Sequence, residues 1–505
     1  YFELRYNVTV RRTISIISIV YLIFYMAIAV YGPALALSQV TGFSHRYLVA
    51  AIFVVCIFYS SLGGLKAVVW TDTLQALIMM ASLMVIVIKG ASDIGGFSVV
   101  WKRAQDTGRT GFLNLDPDPR TRHTFWTSII GMYFVWLPLY AATQANIQRF
   151  AAMPNIQTVR RALLINMIGL YITIGLCFTA GLVIFARYHD CDPVTRKTVD
   201  TADQLLPLFV MDVLGEYRGL PGIFVAGITS ASLSSVSSGL NALAAIITED
   251  YIKKWVPDIS DSRLSTIAKI ISVVCGLLSF GFIFAAEQMG NVFSAGISIL
   301  GMILGPTLGI FTLGMFFPWA NARGALLGLF CSLGFIGFIG VGSAIAQNQG
   351  LLPDQRLSLS TAGCLNETFF TETSSPDFHS TTPIQFLSQQ PELEDTLIIK
   401  QLTWKENKDS PLIKFLSVSF IWNSAYGCLS AILFGLLFSL IFSRIRDYPQ
   451  VHEDYLSPPL LWMWTYAFPK QMKRLVTMSE HHDISLVAKE NLQTSLSVNS
   501  CVSRF

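Results

Sequence analysis

The stretch "ASLSSVSSGLN", residues 231–241, holds serines at 232, 234, 235, 237 and 238 inside a run otherwise apolar enough for lipid. Ala231, Ser234 and Ser235 follow i, i+3, i+4 spacing, so on a helix their oxygens share one face. Two hydroxyls and the Ala231 carbonyl then offer three neutral oxygens, a set suited to a singly charged cation that must bind and leave again. Close packing of helices by small residues is the competing reading, with equal weight for Ser232, Ser237 and Ser238. A second set lies in "GGLKAVVWTDTLQALIMM". Asp72 and Gln75 are three residues apart, so a carboxylate and an amide oxygen share one side of a helix, and hard cations take such donors. Here the competing reading is an ion pair between Asp72 and Lys66 near the membrane surface. Polar groups at bilayer depth cost several kcal/mol when unpaired, so both sets mark sites by default.

These residues need helices to hold them. The chain has 505 residues, is 52% hydrophobic and 13% charged, and has a mean hydropathy of +0.53. Soluble domains carry about 25% charged residues. Ten apolar segments are expected as membrane helices, at roughly 13–40, 46–63, 68–91, 124–143, 161–187, 218–248, 265–286, 291–317, 323–346 and 415–443. Each is too long and too uniformly apolar for a barrel strand. The fourth, "FWTSIIGMYFVWLPLYAATQANIQRF", carries Gly131 and Pro138 in mid-span. Proline removes a helix hydrogen bond and clashes with the preceding turn, so a kink or break is expected there. Tyr140 and Gln144 follow it and are placed to face a cavity.

Lys and Arg in short loops set the orientation. With residues 1–12 cytoplasmic, Arg5, Arg11, Arg12, Lys66, Arg149, Arg160, Arg161, Lys253, Lys254, Arg263 and Arg323 fall inside, against Arg46 outside. The expected organisation is a cytoplasmic segment 1–12, a transmembrane domain 13–443, and a cytoplasmic tail 444–505. Outside loops are expected at about 92–123, 188–217 and 347–414. The sequon at Asn366 lies on the outside and should be glycosylated, whereas "NVT" at Asn7 lies inside and should not be. The eight cysteines show no CxxC spacing. Cys191 and Cys364, in two hydrophilic outer loops, are the one pair the sequence leaves for a disulfide. In the tail, "LLWMWTYAF" suits a helix against the membrane surface, and His481 and His482 read better as a solvated pair than as metal ligands. No basic stripe with interleaved aromatics points to nucleic acid. No HExxH, GxSxG or paired intramembrane carboxylates point to an enzyme.

The string "LSSVSSGLNALAAIITEDYIKK" resembles the signature helix of the sodium/solute symporter family. So do "YFELRYNVTVRR", "YGPALALSQVTG", "SSLGGLKAVVWTDTLQ", "TQANIQRFAA", "TADQLLPLFVMDVLG" and "FIWNSAYGCL", in family order from residue 1 to about 443. "KAVVWTD" and "LALSQVTG" lean toward the branch of iodide, monocarboxylate and multivitamin transporters. The resemblance implies an all-α polytopic membrane protein with a leucine-transporter-like core of two inverted repeats. It also implies thirteen spans in the whole protein, so that ten are present and about three would precede residue 1. It implies sodium binding by the Ala231 carbonyl and the Ser234 and Ser235 hydroxyls, a coupling role for Asp72, and a second ion near Gln75 and Gln144. Tyr31 and Tyr140 would line the solute cavity. The implied activity is sodium-driven uptake of a small organic solute, expected to be an anion, across the plasma membrane, with sodium the coupling ion and no other cofactor. The alternative is an uncoupled channel or solute-sensing receptor on the same fold.

Overall fold

Asn7 begins the first long helix by turning its side chain back to accept the Val10 amide at 2.9 Å, and Gly42 ends it in the left-handed conformation at φ 75°. That helix is α1, Val8–Thr41. The computed structural model describes the chain apart from residues 112, 218, 287–291, 353–356, 358, 366–409, 444–450, 469–471, 473–474 and 478–505, and apart from the side chains of 62–67, 285–286, 292–293, 348, 365 and 443. Asn366, His481 and His482 lie outside the described residues.

The remaining principal helices are α2 His45–Ile94, α3 Met132–Ala141, α4 Gln144–Ala151, α5 Ile156–Arg187, α6 Leu220–Ile247, α7 Asp261–Ala286, α8 Val292–Phe316, α9 Ala322–Asn348 and α10 Asn423–Ser443. Among the described residues, eight helices are long and apolar enough to cross a membrane by length and composition, and His45–Ser61 and Thr127–Ala141 are shorter apolar helices. These occupy the ten expected positions. Two details differ from expectation. α2 is one helix of 50 residues carrying both the second and third segments. The last segment starts late, because a short helix, Pro411–Leu416, and a turn, Phe420–Trp422, come before α10.

The helices bury small residues against each other and leave large apolar ones outside. α5 is peripheral: Ala180, Val183 and Ala186 are buried, while Ile165, Tyr171 and Phe178 are each at least 70% exposed. An outward belt of this kind calls for an apolar partner, lipid or other helices, since water would not stabilise it. The inner cluster gathers Tyr21, Met26 and Val30 of α1, Phe53 and Cys56 of α2, and Val236, Leu240 and Leu243 of α6. α6 runs antiparallel to α1, with Met26 beside Gly239 and Ser15 hydrogen-bonded to Asp250.

At the end of the bundle nearest the α1 N-terminus (the lower end), Arg11 pairs with both Glu3 and Asp250. The Arg11 hydrogen bond holds the Glu3 carboxyl below its usual range. Arg5 is buried there and caps the end of α8, donating to the carbonyls of Gly314 at 2.8 Å, Phe317 at 2.9 Å and Ala320 at 3.2 Å. A guanidinium suits that place because the last carbonyls of a helix have no internal partners. The tail docks alongside. Helix α11, Pro458–Ala467, inserts Trp464 against Trp319 and donates its indole N–H to the Phe316 carbonyl at 2.9 Å. The all-α expectation needs one small correction, a two-residue parallel pair of β1 Val451–His452 with β2 Val476–Thr477. At the opposite, upper end, Cys191 and Cys364 form a disulfide across 173 residues of sequence.

Candidate functional site

The break in the proline-bearing segment is what opens the site. α3 follows a wide π-helical turn, Thr127–Gly131, and stops at Ala141; α4 begins at Gln144. The chain therefore breaks at 142–143, past Pro138, which stays inside α3. Pro138 has no N–H for the Phe134 carbonyl four residues back. The buried Ser424 hydroxyl of α10 donates to that carbonyl instead, at 2.6 Å. At the break itself, the Leu139 carbonyl accepts from the Thr143 hydroxyl at 2.6 Å and the Asn146 amide at 2.7 Å. Two carbonyls freed by the proline and the break are thus met by side chains, as low-dielectric surroundings require.

Two cavities flank this region. The upper one, about 420 Å³, is mostly apolar, with Ile28, Gly32, Pro33, Ile228, Leu300 and Asp203 in its wall. The lower one, about 180 Å³, is lined by Thr143, Asn146 and Arg149 from the break and by Ser234, Ser235 and Ser238 of α6. Tyr21 and Tyr25 border both cavities, and their rings stack at 5.8 Å.

The serine and carboxylate sets of the sequence meet here. Asp72 pairs with Arg149, whose guanidinium also donates to the Ser238 hydroxyl. Ser234, Arg149 and Ser238 are the polar neighbours of the Asp72 carboxylate. Its Oδ1 and the Oε1 of Gln75 are both buried without a hydrogen-bond partner. Buried acceptors left unpaired cost free energy, and two of them three residues apart on α2 single out this helix face as a candidate ligand site. The competing sequence reading paired Asp72 with Lys66, whose side chain lies outside the described ones; the partner the structure shows is Arg149, which the break turns back toward α6.

The other expected residues divide. Ser234 and Ser235 line the lower cavity; Ala231 does not, and its carbonyl accepts the Ser235 hydroxyl at 3.0 Å. Gln144 opens α4 but stays off the cavity wall, where Asn146 and Arg149 stand. Tyr140 turns to α5 and accepts from Asn166 at 2.8 Å. Tyr31 meets His45 edge-on at 6.4 Å. Neither tyrosine is in the wall of these two cavities, which Tyr21 and Tyr25 border. Their i, i+4 spacing was the available signal. Arg149 was counted as a loop charge, and only its proximity to Asp72 in space reveals more.

A bundle with a broken helix beside buried, unpaired oxygens is the build of an ion-coupled membrane transporter. Comparison with known proteins fixes the class. The sequence pattern of the sodium:solute symporter family matches residues 1–332, and the chain belongs to that family. It is 40% identical over 465 residues to the Homo sapiens sodium-coupled monocarboxylate transporter 1, covering 90% of this chain and 73% of that one. It is 38% identical over 485 residues to the Mus musculus sodium-coupled monocarboxylate transporter 2, covering 96% and 73%. With the Oryctolagus cuniculus sodium-dependent multivitamin transporter it shares 36% over 454 residues, covering 89% and 67%. The fold is similar to that of a sodium-coupled sialic acid symporter in a substrate-bound, outward-open state, with a TM-score of 0.61, 21% identity, and coverage of 88% and 76%. The fold class is therefore leucine-transporter-like, as the sequence led one to expect. The protein is a multi-pass, sodium-coupled solute symporter in a lipid bilayer, a transporter and not an enzyme.

Proposed function

We propose that this chain carries a small organic anion, a monocarboxylate or a biotin- or pantothenate-like vitamin, into the cell with sodium across the plasma membrane. Sodium uses the Ser234 and Ser235 hydroxyls, the Ala231 carbonyl, and the Asp72 and Gln75 oxygens. The observation that carries this reading is that Ser234, in the wall of the polar lower cavity, also neighbours the Asp72 carboxylate, whose Oδ1 is buried without a hydrogen-bond partner. The names of the relatives support the choice of solute, and the cavity volume of about 180 Å³ suits a small molecule. In this reading solute passes between the two cavities that Tyr21 and Tyr25 both border, so these rings would have to reorient during alternating access.

Ser234→Ala and Ser235→Ala should each raise the sodium concentration for half-maximal uptake, since each loses one ligand worth about 1–3 kcal/mol. Solute affinity should fall with it, because linkage is reciprocal. Uptake of labelled lactate against its gradient, in cells with matched surface expression, checks this. Unchanged sodium dependence would leave the serines as packing residues, and uptake that never exceeds equilibrium would favour the uncoupled channel.

Orientation has its own test. With the tail cytoplasmic, Asn366 is glycosylated and Asn7, whose side chain caps α1, is not. Glycosidase should shift the wild type and leave Asn366→Gln unmoved; a shift that vanishes only in Asn7→Gln would invert the topology.

A further inference from the structure

Arg149 is the one cation at the carboxylate site among the described residues, and it stands where two functions meet. Its guanidinium holds Asp72 and Ser238, while its side chain, 33% exposed, also forms part of the wall of the lower cavity. The Asp72 side chain is 14% exposed, and its Oδ1, like the Oε1 of Gln75 three residues along α2, is buried without a hydrogen-bond partner. As it stands, the Asp72–Arg149 pair is neutral. A sodium ion added at Oδ1 would give this low-dielectric site a net positive charge beside a second cation, an arrangement that burial penalises heavily. Neutrality is restored if the guanidinium leaves as the ion arrives. Leaving is geometrically simple, because Arg149 sits on the short α4 just past the break and already borders the cavity.

We propose that Arg149 is a tethered counter-cation that exchanges with sodium at Asp72, and that the displaced guanidinium then binds the carboxylate of the solute in the lower cavity. The inference rests on the sodium-site reading above and deepens it. Sodium and solute are coupled because one ion frees the group that recognises the other. A guanidinium suits this double task, since its planar donors match a carboxylate in either position. Asn146, Thr143 and the Tyr21 and Tyr25 rings would complete the solute's surroundings.

The test uses the full chain in proteoliposomes, with sodium alone and with propionate as probes and choline as the replacement ion. Arg149→Gln removes the competitor, so the half-saturating sodium concentration in the absence of solute should fall by about tenfold or more. Propionate binding at saturating sodium should weaken by a similar factor in the same variant, whereas neutral propionamide should bind both proteins alike. Sodium binding that is unchanged or weaker in Arg149→Gln overturns the exchange. Propionate binding that is unchanged, or absent from the wild type, overturns the anion role. If Arg149→Gln fails to fold, Arg149→Lys carries the test. It keeps one charge but replaces the planar guanidinium, which holds Asp72 and Ser238 through one nitrogen, with an ammonium on a shorter arm, so sodium affinity should rise by roughly threefold and propionate affinity should fall; wild-type values for both overturn the proposal. Failure of the underlying site reading is separate, because it appears as unchanged sodium dependence in Ser234→Ala and Ser235→Ala.

Discussion

Asp72→Ala is expected to abolish concentrative uptake and to weaken the fold at the same time. The wild-type carboxylate is buried against Arg149, Ser234 and Ser238. Removing it deletes a charged sodium ligand and leaves a guanidinium in low dielectric with only the Ser238 hydroxyl. Breaking a fully buried pair from one side costs about 3–5 kcal/mol, and the loss here should fall below that, because Arg149 is 33% exposed and can turn into the cavity. Two measurements separate the causes. Melting temperature of the purified protein in choline reports the lost pair, and sodium titration of whatever uptake remains reports the lost ligand. The double variant Asp72→Ala/Arg149→Gln should regain most of the stability, because no unpaired charge is left, yet it should not regain sodium-driven transport. Recovery of transport in the double variant, or wild-type sodium dependence in Asp72→Ala, would remove Asp72 from the ion path.

The second large effect is expected where α8, α9 and α10 close on each other. Gly328 of α9 faces Gly435 of α10 so closely that an added Cβ would lie 2.6 Å from both the Cα and the N of Gly435. Gly305 of α8 is similar, its added Cβ falling 2.5 Å from the Ser424 carbonyl oxygen. In lipid, helices gain from such close approach mainly through packing, and small residues are what permit it. Backbone against backbone has no flexible side chain to yield. Gly328→Leu must therefore push α9 from α10, and the cost should reach about 3 kcal/mol or more, the upper part of the range for overpacking. Gly305→Leu adds a functional effect, because it displaces Ser424, the residue that satisfies the Phe134 carbonyl beneath Pro138. Size-exclusion profiles and thermal melts in detergent check the first point. A monodisperse Gly328→Leu protein with an unshifted melt would mean that the helices are farther apart than described.

The chain's class and much of its plan were legible in the residues. Long apolar runs can only be helices in lipid, because every backbone group must be satisfied within its own segment, so the ten segments appear at their expected places. The serine string and Asp72 stood out because polar groups at that depth are costly without a purpose. What the sequence could not show was which faces meet. Helical spacing places Ser234 and Asp72 each on a face, but nothing local says that those faces oppose, or that α4 folds back to bring Arg149 between them. Proline marked the broken span, yet the break fell at 142–143, where Thr143 and Asn146 can satisfy the Leu139 carbonyl, and Pro138 stayed helical because Ser424 from a distant helix serves Phe134. The same limit explains the tyrosines. Tyr21, Tyr25, Tyr31 and Tyr140 are alike in type and in apolar setting, and only the tertiary packing decides that the first two border the cavities while the others face His45 and Asn166. Local sequence fixes which groups must be buried and in what kind of element; the pairing of one buried group with another depends on contacts between segments far apart in the chain, and those only the folded protein determines.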